Sequence, residues 1–121
     1  LHLTGNQVTD LSALMKLTKL KTLILSGTNK LTDVGALAGL TQLKKLYLSN
    51  NQLTDLSPLA KLTQLEQLYL SNNQITDLTP VAGLSKLTHL DLGNNPNLTQ
   101  TEVDKLRKAL PKCEIKHNAK E

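Results

Sequence analysis

The chain has 121 residues, room for one domain, and 39% of them are hydrophobic, yet it holds no Phe, no Trp and two Tyr. A core made almost wholly of leucine suits a stack of equivalent small layers better than a globule with a bulky centre. The formal net charge of +4 is mild, and the lysines are spread along the chain with an excess near its end (Lys105, Arg107, Lys108, Lys112, Lys116, Lys120). Without a dense basic stripe and interleaved aromatic residues, nucleic acid is not an expected partner. The single cysteine, Cys113, excludes an internal disulfide. No apolar run approaches membrane-spanning length, so membrane insertion is not expected, and no signal-peptide pattern is read in these residues. The sequence starts with Leu1 rather than Met, which points to a piece of something longer or a processed form.

Repetition dominates the chain. Leu-x-Leu triplets stand at Leu1-His2-Leu3, Leu23-Ile24-Leu25, Leu46-Tyr47-Leu48, Leu68-Tyr69-Leu70 and Leu90-Asp91-Leu92, spaced by 22, 23, 22 and 22 residues. Cys113-Glu114-Ile115 follows 23 residues later as a sixth, weaker triplet. Each triplet alternates inward Leu with an outward residue, the period of a β-strand. The expected units are 1–22, 23–45, 46–67, 68–89 and 90–110, with 111–121 as a terminating strand and tail.

Within the units, Asn recurs three residues past the second Leu, at Asn6, Asn51, Asn73 and Asn95, with Thr28 in that place in the second unit. An Asn amide donates and accepts at once, so a buried Asn can satisfy loop backbone where the chain leaves each strand; these four are read as structural. An Asp column follows (Asp10, Asp33, Asp55, Asp77), expected to hydrogen-bond locally to the next helical turn. Ser57-Pro58 and Thr79-Pro80 read as N-cap followed by Pro at the first helical position, opening short turns such as "PLAKL". One unit cannot fold alone, because burying its seven leucines (Leu46, Leu48, Leu53, Leu56, Leu59, Leu62, Leu65) does not offset the ordering entropy of its residues. Stacking supplies the difference.

After Asn95 the pattern breaks. Thr101 to Asp104 reads as a capping box with Asp in place of Glu, Val103, Leu106 and Leu110 recur at helical spacing, and Pro111 follows. An amphipathic helix is expected over about 102–110 and a last strand around 113–116. Cys113 takes an inward position and reads as a core residue. Asn97-Leu98-Thr99 matches a glycosylation acceptor, a triplet common enough to carry no weight.

Strand alternation places three columns on one face. The central column reads His2, Ile24, Tyr47, Tyr69, Asp91, Glu114; the preceding one Thr22, Lys45, Gln67, His89, Lys112; the following one Thr4, Ser26, Ser49, Ser71, Gly93, Lys116. Tyr47 and Tyr69 should stand side by side, and Tyr is enriched where proteins bind proteins, although it also suits exposed strand positions. Candidate binding residues are Tyr47, Tyr69, Ile24, Lys45, Gln67, His89 and Asp91. Asp91 beside Glu114 with His89 nearby suggests acid–base chemistry, but an open sheet has no pocket to desolvate them, so no catalytic residue is expected. The three His share no ligand spacing, so no metal and no cofactor is expected.

The pattern LxxLxxLxLxxNxLTDLxPLxxL resembles the leucine-rich repeat, and its 22-residue spacing with Thr-Asp and Ser/Thr-Pro is most similar to the bacterial internalin-like class. The resemblance covers about residues 1–110. It implies an α/β fold: a right-handed solenoid with parallel strands lining the concave face, short 3₁₀ or helical turns on the convex face, and here one longer C-terminal helix. It also implies a non-enzymatic module that binds a protein ligand through the concave face, within a larger bacterial surface or secreted protein. The alternatives are a structural spacer of a longer chain and an intracellular, regulatory-subunit-like repeat module, since eukaryotic phosphatase regulators share the 22-residue unit; a cytoplasmic location stays open. The family's N-terminal cap has no counterpart here. The first layer (Leu1, Leu3, Val8, Leu11, Leu14, Leu17, Leu20) is therefore expected to meet an upstream cap or to drive self-association through that end.

Overall fold

A computed structural model of the chain describes residues 11–27 and 31–118. His2, Thr4, Asn6, Asp10, Thr28 and the leucines of the first triplet lie outside these residues.

Each inward-outward-inward triplet becomes a very short strand: β1 (Thr22–Ile24), β2 (Lys45–Tyr47), β3 (Gln67–Tyr69), β4 (His89–Leu92) and β5 (Glu114–His117). They form one parallel sheet in chain order, β1 to β5. Leu23, Leu46, Leu68, Leu90 and Ile115 share one row of the register, and Ile24, Tyr47, Tyr69, Asp91 and Lys116 the next. Between strands run short 3₁₀ turns, Ser12–Lys16, Gly35–Leu37, Ser57–Lys61 and Thr79–Val81, and before β5 the single α-helix α1 (Gln100–Ala109). This is the right-handed solenoid expected from the sequence, with the sheet on the concave side and the turns on the convex side.

The core is a leucine column filling the space between the two sides: Leu23, Leu25, Leu37, Leu40, Leu43, Leu46, Leu48 and their counterparts in later units are fully buried. The N-terminal layer is less covered. Leu17 is 43% exposed, whereas Leu40, Leu62 and Leu84 at the same place in later units are buried; Met15, 54% exposed, stands where later units have Ala38, Ala60 and Ala82.

Where the chain leaves each strand, Asn51, Asn73 and Asn95 are 6%, 1% and 3% exposed. Asn73 is typical: its Oδ1 accepts from Leu53 N (3.0 Å), and its Nδ2 donates to Leu70 O in its own unit and Leu48 O in the preceding one (both 3.0 Å). Asn95 repeats this one unit on, with Ile75 N, Leu92 O and Leu70 O. Asn51 holds Leu48 O at 2.9 Å but reaches Leu31 N and Leu25 O in the second unit only at 3.4 and 3.3 Å. Each amide thus satisfies its own loop and ties it to the previous one.

The residue before each Asn was not singled out in the sequence, and it is what lets the loop turn. Asn50, Asn72 and Asn94 have φ of 61°, 58° and 57°, and Gly27 takes that place in the second unit with φ 81°. This left-handed region favours Gly and Asn.

The 3₁₀ turns are anchored by the Asp column. Oδ1 of Asp33, Asp55 and Asp77 accepts from Gly35 N (2.7 Å), Ser57 N (2.9 Å) and Thr79 N (2.9 Å). Hydrogen bonds from Ser57 hold the Asp55 carboxyl below its ordinary pKa, and those from Thr79 do the same for Asp77. Ser57 and Thr79 are therefore not the caps expected from the Ser-Pro and Thr-Pro pairs; they lie inside the turns, with Leu56 and Leu78 in the cap positions and no side-chain cap bond.

The C-terminal unit corrects two further expectations. The helix starts earlier than 102: Thr99 is the N-cap and its hydroxyl accepts from Glu102 N (3.3 Å), so the box is Thr99 to Glu102 rather than Thr101 to Asp104. The Glu102 carboxylate turns instead to the preceding unit and accepts from Leu78 N (2.9 Å). Leu98 and Val103, on either side of this start, are both buried. The last strand is shifted by two residues: Leu90 pairs with Ile115, not Cys113. The reason is geometric. An α-helix advances about 1.5 Å per residue against about 2.0 Å in a 3₁₀ turn, so α1 takes up extra chain over the same path. Cys113 falls in the turn before β5, half-buried against the core, with its thiol pKa raised by burial and by Glu114.

Candidate functional site: the concave face

The register sets out the outward columns. One row reads Thr22, Lys45, Gln67, His89, Glu114; the next reads Ile24, Tyr47, Tyr69, Asp91, Lys116. The candidates Ile24, Lys45, Tyr47, Gln67, Tyr69, His89 and Asp91 thus all lie on one face, in two adjacent rows. Only the C-terminal end differs from expectation. Glu114 stands beside His89, and Lys116 beside Asp91, in the places expected for Lys112 and Glu114.

Tyr47 and Tyr69 stack across β2 and β3, with ring centroids 4.5 Å apart and planes within 8°. The parallel register dictates this: identical residues in one row are a strand spacing apart, close to ring-stacking distance. The Tyr69 hydroxyl donates to Gln67 Oε1 (2.9 Å), which orients the amide in the neighbouring row. Burial, with Tyr47 next in weight, raises the Tyr69 pKa, so the phenol stays protonated at neutral pH. Below the rings, Ser71 Oγ donates to Ser49 Oγ (2.9 Å) in the following column. The centre of the face is thus a flat aromatic surface edged by amide and hydroxyl groups.

Toward β5 the face becomes charged. His89 Nε2 lies 3.4 Å from Glu114 Oε2, with both side chains more than half exposed. Asp91 Oδ1 accepts from Gly93 N (3.0 Å), and Asn118 Oδ1 accepts from Asn94 N (2.9 Å). Tyr69, His89, Leu90, Asp91, Glu114 and Lys116 line an open recess of about 220 Å³. Asp91 and Glu114 lie in different columns, each engaged elsewhere, so the paired carboxylates considered from the sequence do not form. Among the described residues no three of His, Cys, Asp and Glu cluster closely enough to hold a metal ion.

The last strand brings a polar residue into an inward row. His117 takes the row of Leu25, Leu48, Leu70 and Leu92, and its Nε2 lies 3.2 Å from Arg107 on α1. No helix among the described residues is long and apolar enough to cross a membrane.

Comparison with known proteins places this architecture. The family described as leucine-rich repeats (2 copies) matches residues 1–39, 41–83 and 63–108. Among solved structures, an internalin C2 from Listeria monocytogenes is 40% identical with a TM-score of 0.87, covering 99% of this chain and 53% of its own. A second internalin from the same organism is 31% identical (TM-score 0.87, 99% of this chain, 35% of its own). A leucine-rich-repeat protein from Leptospira interrogans is 37% identical (TM-score 0.84, 95% of this chain, 30% of its own). The chain thus spans about half or less of the length of these structures. The comparison with curated proteins returns no match. Leucine-rich repeats generally mediate protein–protein interaction, as non-enzymatic modules, and the chain belongs to the leucine-rich repeat family, among its internalin-like members.

Proposed function

We propose that the chain is a non-enzymatic module that binds a protein ligand through its concave face, as part of a larger bacterial surface or secreted protein. The observation that carries this reading is the tyrosine stack: the only two aromatic residues of the sequence are half-buried side by side in mid-sheet, 4.5 Å apart, on the face not used for packing. Rigid aromatic groups offer large contact area at low entropic cost. Lys45, Gln67 and His89 edge the stack along the neighbouring row, and Ile24 and Asp91 stand at its two ends. The test is capture from the surface and secreted fractions of the source organism, using wild type, the Tyr47→Ala/Tyr69→Ala variant and a convex-face Lys61→Ala control. A partner held by wild type and control but lost by the tyrosine variant supports the reading. Partners indifferent to both tyrosines leave the spacer role as the better account.

A second contact is favoured by one observation. Met15 and Leu17 are 54% and 43% exposed in the N-terminal layer, which suits contact with an upstream cap or, in this chain alone, self-association through that end. Sedimentation over a concentration series tests it. Leu17→Lys should abolish any concentration dependence, and a monomer at every concentration removes the proposal.

A further inference from the structure

The flank by which the chain enters the strands has a charge pattern separate from the tyrosine face. Lys21, Lys44, Glu66 and Thr88 occupy equivalent places just before β1 to β4. The backbone locks them side by side: Lys44 N and Lys45 N both donate to Lys21 O (2.8 and 3.1 Å), and Glu66 N and Gln67 N both donate to Lys44 O (2.8 and 3.0 Å). Lys21, Lys44 and Lys45 are therefore held about one strand spacing apart, and all three are exposed. Like charges on neighbouring strands repel, and among the described residues none of the three makes an ion pair. Asp33 and Asp55, in the loops that follow β1 and β2, are bound to Gly35 N and Ser57 N. Half-buried Glu66 stands next in the column after Lys44. An open groove of about 530 Å³ runs between the lysines, lined by Lys21, Thr41, Gln42, Lys44, Thr63 and Gln64. By contrast, the lysines near the C-terminus are interspersed with Glu102, Asp104 and Glu114.

We propose that this lysine flank is a docking groove for an acidic protein segment, which the partner of the concave face presents as it seats on the tyrosines. The charge is complementary to carboxylates, the groove offers hydroxyl and amide groups between the ammonium groups, and Lys45 joins it to the row that contains Gln67. Nucleic acid fits less well: the lining of the groove holds no aromatic residue to stack on bases, and the only Arg of the chain is on α1. The proposal rests on the concave-face reading for the partner, but the groove is testable alone.

The probe is an octaglutamate peptide titrated into isotopically labelled protein and followed by nuclear magnetic resonance. Expected shifts concentrate on Lys21, Gln42, Lys44, Lys45 and Gln64. Lys21→Glu/Lys44→Glu should weaken binding at least about tenfold with an unchanged circular dichroism spectrum, and raising salt from about 0.05 M to about 0.5 M should do the same by screening. No binding at low salt, shifts centred on Lys105–Lys116, or tighter binding of a DNA oligonucleotide to the same residues would each overturn the proposal. Because octaglutamate has no aromatic or apolar side chain to seat on the tyrosines, Tyr47→Ala/Tyr69→Ala should leave its affinity unchanged. Peptide binding lost while a captured partner still needs the tyrosines overturns the groove alone. Peptide binding kept while partners ignore the tyrosines overturns the concave-face reading alone.

Discussion

Replacing Asn73 with Ala tests the link between repetition and stability. The side chain is 1% exposed and is the amide partner of Leu53 N, Leu48 O and Leu70 O. The two carbonyls keep a second donor each, Asn51 Nδ2 for Leu48 O (2.9 Å) and Asn95 Nδ2 for Leu70 O (3.1 Å). The buried Leu53 N–H loses the acceptor that Asn73 supplies, at a cost of about 1–3 kcal/mol, and the lost amide bonds add about 1 kcal/mol net. The expected destabilisation is about 2–4 kcal/mol, a fall of about 1 M or more in the urea midpoint. Asn73→Asp sharpens the test. It keeps an acceptor for Leu53 N but sets a carboxylate oxygen against two carbonyl oxygens, so at neutral pH it should cost at least as much as Ala. Urea unfolding followed by circular dichroism, with hydrogen exchange at Leu53, measures both. A midpoint for Asn73→Ala equal to wild type, or an Asp variant more stable than the Ala variant, would refute the ladder argument.

Asn51→Ala should cost less than Asn73→Ala, because its bonds to the preceding unit are longer (3.4 and 3.3 Å); the same urea series ranks them. Hydrogen bonds lower the Asp55 and Asp77 pKa values in the fold, so these carboxylates add stability above the unfolded value of about 3.9, and that contribution is lost as pH falls through the folded values. Asp55→Asn/Asp77→Asn, which retains the acceptor, should flatten the acid limb of stability below about pH 4, and an unchanged limb contradicts the assignment. In Tyr47→Phe, where Tyr69 is the only tyrosine left, phenolate absorbance should appear above tyrosine's ordinary pKa. Thr99→Ala should cost about 1 kcal/mol and reduce exchange protection in the first turn of α1.

Much of this was legible because a repeat states its rules several times over. The Leu-x-Leu spacing is enough to put Tyr47 beside Tyr69, since units of equal length stack in register, and the Asn and Asp columns declare their roles by recurrence. Legibility fails where recurrence does. In the last unit the α-helix carries more residues over the same path than a 3₁₀ turn, so counting 23 residues from Leu90 reaches Cys113, two short of its true partner Ile115. That slip misplaced Glu114 and Lys116 and suggested a carboxylate pair that does not form. The left-handed Asn50, Asn72 and Asn94 carry a signal in the sequence, because Gly27 stands in their column and Gly and Asn share that backbone region. The Ser-Pro and Thr-Pro caps misled because the Asp two residues earlier is the better acceptor.

The central claim is that a protein partner seats on the stacked tyrosines. Titration calorimetry of the captured partner against wild type, Tyr47→Ala/Tyr69→Ala and Lys61→Ala tests it most directly. The account predicts that the tyrosine variant loses at least about 2 kcal/mol, roughly 30-fold in affinity, while the convex variant binds as wild type does. Equal affinity for wild type and the tyrosine variant, or a loss confined to Lys61→Ala, would contradict it.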